Sequence, residues 1–167
     1  MHQRPKINTP KQPLDRIIDG IGLIALLFSW GYVLWHFKSL PETIPTHFDA
    51  SGTVDGTGSK YTLFILPGLG TLIFFGLGVL TNVPHILNYT VKITPENAAE
   101  QYERASRMLR YLKMVIQLVF AFIVFRTIGI ARQPELGLGK WMLPIVLLLI
   151  MVPLALFIFT GQRSANK

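Results

Sequence analysis

The residues with the most varied chemistry lie in one stretch, residues 40–60, LPETIPTHFDASGTVDGTGSK. His47 stands two residues before Asp49 and eight before Asp55, and Glu42 lies five residues upstream of it. Imidazole and carboxylates together suit zinc or manganese, so His47, Asp49 and Asp55, with Glu42, form one candidate metal set. Their spacing is not a known ligand pattern. His47 with Asp49 or Asp55 also has the chemistry of a general acid–base pair, yet no nucleophile or oxyanion arrangement accompanies it. The same residues suit two non-catalytic roles. They can cap a turn by bonding its own backbone, or they can form a binding surface on a loop held by a rigid scaffold. The candidate binding surface comprises Glu42, Pro45, His47, Asp49, Gly52, Asp55, Ser59 and Lys60, and neither metal nor cofactor is expected there.

Residues 43–48 alternate and are rich in β-formers, 50–52 suit a tight turn, and Thr53-Val54 can return as a second short strand. The stretch therefore reads as a small hairpin. Phe48 is its expected anchor, with Ile44 on the same face. His47 and Asp49 then point the other way, and Asp55 closes that face. Gly52, Gly56 and Gly58 suit backbone positions with positive φ.

Long apolar segments flank this stretch. Half of the 167 residues are hydrophobic and only 15% are charged, against about a quarter in soluble domains. The apolar residues fall in four blocks, 18–37, 61–82, 111–131 and 141–160. About 20 residues of helix span the roughly 30 Å of a bilayer core, where the backbone must satisfy its own hydrogen bonds. The expected fold is thus an all-α membrane protein, one integral domain over residues 1–167. It is a four-helix transmembrane bundle with a small extracytoplasmic hairpin-like loop, 38–60, and a cytoplasmic connector and helix, 83–110, that extends the third helix. The first block starts too late and is too long for a simple signal peptide, and no small-residue cleavage site follows it.

Residues 1–14 read as a flexible cytoplasmic tail. The first helix, from about Leu14, carries Gly22, Ala25 and Ser29 on one face, where a neighbour can approach closely. Asp15 and Asp19 sit at its N-terminal end, which favours negative charge. Trp30, Tyr32 and Trp35 gather toward its far end, as interfacial aromatics do. Ser59 suits the N-cap of the second helix. That helix, with Pro67, Gly68, Gly70, Gly76 and Gly78, is expected to bend near Pro67 and to lie in the bundle interior. Thr94-Pro95-Glu96 reads as the start of one long helix from about Pro95 to Ile130, with Glu100/Arg104 and Glu103/Arg107 as i,i+4 pairs. Gln117 can bond to a neighbouring helix, and Arg126 can snorkel. The last helix, with Pro144 and Pro153, ends in a basic tail.

The net charge of +7 gathers at the ends of the apolar blocks, where lipid headgroups account for it. No basic stripe is interleaved with aromatics, which argues against nucleic acid. Segments 1–17, 83–113 and 161–167 hold eleven Lys and Arg, and the alternate segments hold five. Both termini are therefore expected in the cytoplasm. Without cysteine, disulfides and thiol chemistry are excluded.

The string Leu40-Pro41-Glu42-x-Ile44-Pro45-x-His47-Phe48-Asp49-x-x-Gly52-x-x-Asp55-x-x-Gly58-Ser59-Lys60 resembles a bacterial membrane family of unknown function. Its domain also forms the N-terminal part of the sporulation-delaying toxin immunity proteins. Pro84-His85, Asn88-Tyr89, Ile93-Thr94-x-Glu96-Asn97 and Gln101-Tyr102 look like small members of the same family. The resemblance implies a bacterial cytoplasmic-membrane protein. For immunity members it also implies protection against a secreted toxic peptide, with signalling through a bound repressor. This sequence does not carry their additional C-terminal membrane helices. The expected role is non-enzymatic: an integral membrane protein that senses a ligand or confers immunity to a secreted antimicrobial peptide. A peptide or membrane-protein partner is expected at the outer loop, and a protein partner on the cytoplasmic helix. The alternatives are a small metal-dependent membrane enzyme and a structural subunit of a membrane complex.

Overall fold

The computed structural model describes residues 4–7, 9–133 and 135–165. Four α-helices, α1 (Pro13–His36), α2 (Ile65–Leu80), α3 (Ala98–Arg132) and α4 (Met142–Ala165), surround one two-stranded sheet, β1 (Thr43–Phe48) and β2 (Val54–Ser59). All four helical segments are long and apolar enough to cross a membrane. Large apolar side chains such as Ile24, Leu72, Leu148 and Phe159 face outward. The parts of the expected tails at residues 1–3, 8, 166 and 167 lie outside the described residues.

α3 is the centre of the bundle, and α1, α2 and α4 all pack on it. Its 35 residues make a rod about 50 Å long at 1.5 Å per residue. It begins at Ala98, three residues later than Thr94-Pro95-Glu96 suggests. Residues 95–97 form a turn, in which the Asn97 Oδ1 accepts the Thr94 N–H at 2.9 Å. α2 does not occupy the interior. Only Pro67 and Gly70 on it are buried, and the third helix takes the place expected for the second. Pro67 falls in the first turn of α2, where a missing N–H breaks no α-helical bond.

α1 meets α3 along the small-residue face. Gly22, Ala25 and Ser29 are all buried, and a Cβ on Gly22 would lie 3.3 Å from the Met114 Cα. At the N-terminal end of that seam lies a charge network. Asp15, 1% exposed, accepts the Gln12 N–H at 2.9 Å and pairs with Arg107 at 3.1 Å. Asp19 pairs with Lys113 at 2.7 Å, Arg110 at 3.5 Å and Lys11 at 3.2 Å. Arg107 also holds Glu103 at 2.7 Å, the expected i,i+4 pair, and Arg104 lies 3.7 Å from Glu100. Asp15 and Asp19 thus do more than complement a helix dipole. Their partners Arg107, Arg110 and Lys113 stand more than 90 positions away on α3.

The other helices are tied to α3 through backbone carbonyls. Gln117 donates to the Gly70 carbonyl of α2 at 2.9 Å, as its depth in the sequence suggested. Ser106 donates to Thr81 at 3.1 Å. On α4, Pro153 has no N–H for the Leu149 carbonyl four residues back, and the Tyr111 hydroxyl donates to that carbonyl at 3.0 Å instead. Arg4 reaches, in the connector after α2, the carbonyls of His85 at 3.3 Å and Leu87 at 2.5 Å.

The Tyr111 contact gives a direct test. Tyr111→Phe is expected to lower stability in detergent by about 1 kcal/mol, the scale of one interhelical hydrogen bond. In a Pro153→Ala background the Leu149 carbonyl regains a helical donor, and the same substitution should cost little. Equal losses in both backgrounds, read by thermal unfolding, would refute the compensation.

Candidate functional site

Residues 43–59 form a hairpin seated on one end of the bundle, and a helical turn, 60–64, joins it to α2. β1 and β2 are antiparallel, pairing Thr43 with Ser59, Ile44 with Gly58 and Pro45 with Thr57. The ladder then slips, so that His47 pairs with Gly56 and Phe48 with Val54. Thr46 on one strand and Asp55 on the other are the residues passed over. β2 runs through Ser59 and is longer than the two-residue return read from Thr53-Val54.

Three regions hold the hairpin in place. At its base the Lys60 N–H donates to the Glu42 carbonyl at 2.9 Å. The Lys60 ammonium, largely buried, pairs with the Glu42 carboxylate at 2.9 Å and lies 5.1 Å from the centre of the Phe37 ring. Ser59 caps the helical turn that follows, accepting the Tyr61 N–H at 3.4 Å. In the middle, Ile44 is 2% exposed and enters a cluster with Val33, Leu40, Leu63, Val124 and Ile128. Ile44 is therefore the anchor. Phe48, given that role by the alternation, is only half-buried, because the slipped register breaks the two-residue period between them.

At the tip the Asp49 carboxylate accepts the Ser51 N–H at 2.8 Å, the Ser51 hydroxyl at 2.6 Å and the Thr53 N–H at 2.9 Å. The Ser51 hydroxyl first, and then the backbone N–H groups, hold the Asp49 carboxyl below its usual pKa. Asp49 is thus the internal cap of its own turn. Gly52 alone of the hairpin glycines has positive φ, at 81°. Its carbonyl accepts the Leu138 N–H at 2.8 Å, and a Cβ on it would lie 2.8 Å from the Gly139 nitrogen. Gly56 and Gly58 do not need positive φ. A Cβ on them would meet the His47 Cβ at 3.0 Å and the Thr46 Cγ2 at 3.1 Å.

The remaining polar pair faces outward. His47 Nδ1 and Asp55 Oδ1 are 2.5 Å apart, with side chains 72% and 44% exposed. A carboxylate on Nδ1 orients the ring and leaves Nε2 as the outward contact. Below the pair the hairpin and the bundle enclose a cleft of about 420 Å³. Its walls are mainly apolar, from Ile44, Pro45, Phe48, Leu66 and Val124, and Thr46, His47 and Thr127 add polar atoms. Among the described residues no three His, Cys, Asp or Glu side chains converge as a metal site would require.

The eight residues singled out in the sequence therefore divide by role. Glu42, Ser59 and Lys60 close the base, and Asp49 and Gly52 build the tip. Pro45 and His47 line the cleft, and Asp55 is bonded to His47. Sequence reading missed the contact between the tip and the loop after α3. Arg126 donates through Nε to the Gly137 carbonyl at 3.1 Å, Gly137 leaves room for the Gly52 carbonyl, and Gly139 takes a positive φ of 94°. The available signal was that pair of glycines. The second group of residues that carries the resemblance, within 84–102, gathers at the opposite end. There the Tyr89 hydroxyl donates to the Pro84 carbonyl at 2.8 Å, and its ring centre lies 5.7 Å from that of the buried Tyr102.

Four helices long and apolar enough to cross a membrane, with an ordered hairpin between the first and second, define the class of the chain. Residues 24–71 match a family model described as "Domain of unknown function (DUF1648)". That span runs from within α1 through the hairpin into α2 and contains all eight candidate residues. An uncharacterized protein of Archaeoglobus fulgidus is 39% identical over 61 residues, covering 36% of this chain and 33% of that protein. The match thus spans about a third of that relative's length. No solved structure matches.

The tip and the rim should respond differently to substitution. Gly52→Ala and Asp49→Ala are expected to speed protease cleavage between residues 48 and 54, the first through backbone strain and a clash. His47→Ala and Asp55→Ala should leave cleavage unchanged. Because the Asp49 pKa is lowered in the folded hairpin, its contribution is complete above the ordinary aspartate pKa. It is lost as pH falls through the lower folded value. Cleavage in wild type should therefore stay slow at neutral pH and rise only in strong acid. Equal cleavage of wild type and Asp49→Ala at pH 7 would refute the capping role.

Proposed function

We propose that the chain is a multi-pass protein of the cytoplasmic membrane, with both termini inside and the hairpin outside. There it serves as a non-enzymatic receptor for an extracytoplasmic ligand. The single observation that carries the reading is the outward His47–Asp55 pair, whose histidine lines an apolar cleft of about 420 Å³. A mostly apolar cavity with a few polar groups at its mouth is the usual form of a small-ligand or side-chain site. The ligand this favours has an apolar side chain for the cleft and a hydrogen-bonding or cationic group for the rim. A membrane-active peptide meets both requirements, and the resemblance to toxin-immunity proteins points the same way. The membrane placement is supported by the four apolar helices and their outward apolar side chains. Eleven against five basic residues supports the orientation.

Two experiments test this reading. In intact cells, an impermeant thiol reagent should label Thr46→Cys but not Lys92→Cys in this cysteine-free chain. Labelling of Lys92→Cys alone would reverse the orientation. For the ligand, cells expressing the wild-type chain should tolerate a cationic amphipathic peptide at several-fold higher concentration than cells without it. His47→Ala and Asp55→Ala, expressed at the same level, should lose that tolerance. Tolerance that is absent in wild type, or unchanged in both variants, would overturn the receptor reading.

A further inference from the structure

A second cleft, of about 450 Å³, opens between α1 and α2 at the end opposite the hairpin. Its lower walls are apolar, with Leu23 of α1 and Phe75 and Val79 of α2 turned outward. Its upper wall carries Lys11, Asp19 and Lys113. Gly20 of α1 and Gly78 of α2 also line it. Among the described residues nothing lies within 4 Å of a Cβ built on either glycine. These two differ from Gly22 and Gly70, where a Cβ would meet Met114 and Gln117. Gly22 and Gly70 allow close helix packing, whereas Gly20 and Gly78 leave a groove empty.

The charges at the upper wall do not balance. Lys113, almost wholly buried, pairs with Asp19 at 2.7 Å, and its ammonium sits 4.2 Å from the centre of the Phe74 ring. Lys11 shares the same carboxylate at 3.2 Å, with its side chain 48% exposed. Arg110 approaches it at 3.5 Å. Across the whole network the described cations are Lys11, Arg107, Arg110 and Lys113, and the carboxylates are Asp15, Asp19 and Glu103. Four against three leaves one positive charge in excess. Lys11, at the solvent rim, is the cation most free to take another anion. Asn82 also lines the groove.

We infer that this groove binds one anionic phospholipid, its phosphate at Lys11 with Asn82 and its acyl chain along Leu23, Phe75 and Val79. A single phosphate diester supplies the missing negative charge, and an acyl chain fits an apolar groove widened by two glycines. The inference rests on the chain spanning a bilayer and is independent of any ligand at the hairpin. By the proposed topology the lipid belongs to the cytoplasmic leaflet.

Native mass spectrometry of the protein in mild detergent provides the test, with phosphatidylglycerol and phosphatidylethanolamine as probes. Wild type should retain one phosphatidylglycerol per chain and release phosphatidylethanolamine. Lys11→Gln should weaken retention by about fivefold, the scale of one basic residue at a lipid phosphate. Gly78→Leu fills the groove from α2 and should abolish retention with thermal unfolding near that of wild type. Gly20→Leu repeats the test from α1 in case the first variant folds poorly. Equal retention of the two lipids, or full retention in both filled variants, would overturn the inference. So would displacement by glycerol 3-phosphate at the concentration that displaces nothing but a free-phosphate site, since the acyl chain would then contribute nothing.

Discussion

The charge network between α1 and α3 is the constraint on which the rest of the structure depends. Asp15 is 1% exposed, and the side chains of Arg110 and Lys113 are each 5% exposed. Buried ions repay their desolvation only when geometry and hydrogen bonds are good. Removing one partner typically costs about 3–5 kcal/mol, because the other charge stays buried and unpaired. A slide of one helical turn along the α1–α3 seam would leave at least one of these buried charges without its partner. The small-residue face allows close approach but tolerates sliding, whereas the charges select one register. That register sets where the far ends of α1 and α3 arrive. There Val33 and Ile128 meet, and Arg132 reaches His36 at 2.8 Å and Ser39 at 2.9 Å. The hairpin is built on that end. Its anchor, Ile44, enters a pocket whose walls come from α1, the segment before α2, and α3.

The hairpin in turn depends on those walls. A two-stranded sheet is marginal alone in water, and this one carries two register slips. Order comes from outside it: Ile44 packs into the bundle, Lys60 closes the base, and the Gly52 turn bonds to the loop before α4. The slips decide which side chains face the bundle and which face outward. In an unbroken ladder the alternation would place Phe48 beside Ile44 in the core. With Thr46 and Asp55 passed over, Phe48 rises toward the cleft, and His47 and Asp55 meet on the outer side at 2.5 Å.

Local features of the sequence carried much of this. Gly22, Ala25 and Ser29 share a face by spacing alone, and Gln117 is a polar side chain in an apolar block that must find a partner. The hairpin followed from β-formers around a turn. Features that depend on pairing across the chain were not legible. Arg107, Arg110 and Lys113 at three-residue steps and Asp15 and Asp19 four apart each mark a charged face. Nothing local says that the two faces meet. The choice of Phe48 over Ile44 as anchor assumed strict alternation, and one passed-over residue in each strand is invisible to a period of two. Gly56 and Gly58 looked like turn glycines, yet their reason is a cross-strand neighbour.

The polar groups of the bundle also indicate where function can reside. Gln117, Ser106, Tyr111 and Arg126 all donate to backbone carbonyls of neighbouring segments. In an apolar surrounding such groups must be satisfied internally, so these side chains are committed to holding the helices together. Asp49, Ser59 and the Lys60–Glu42 pair are likewise committed to the hairpin's own shape. His47 and Asp55 differ. They bond to each other across the two strands, and both are substantially exposed. This exposed pair, set in place by two register slips, is the feature on which the proposed ligand site rests. For that reason the rim of the cleft, and not the bundle below it, is the place to look for the chain's activity.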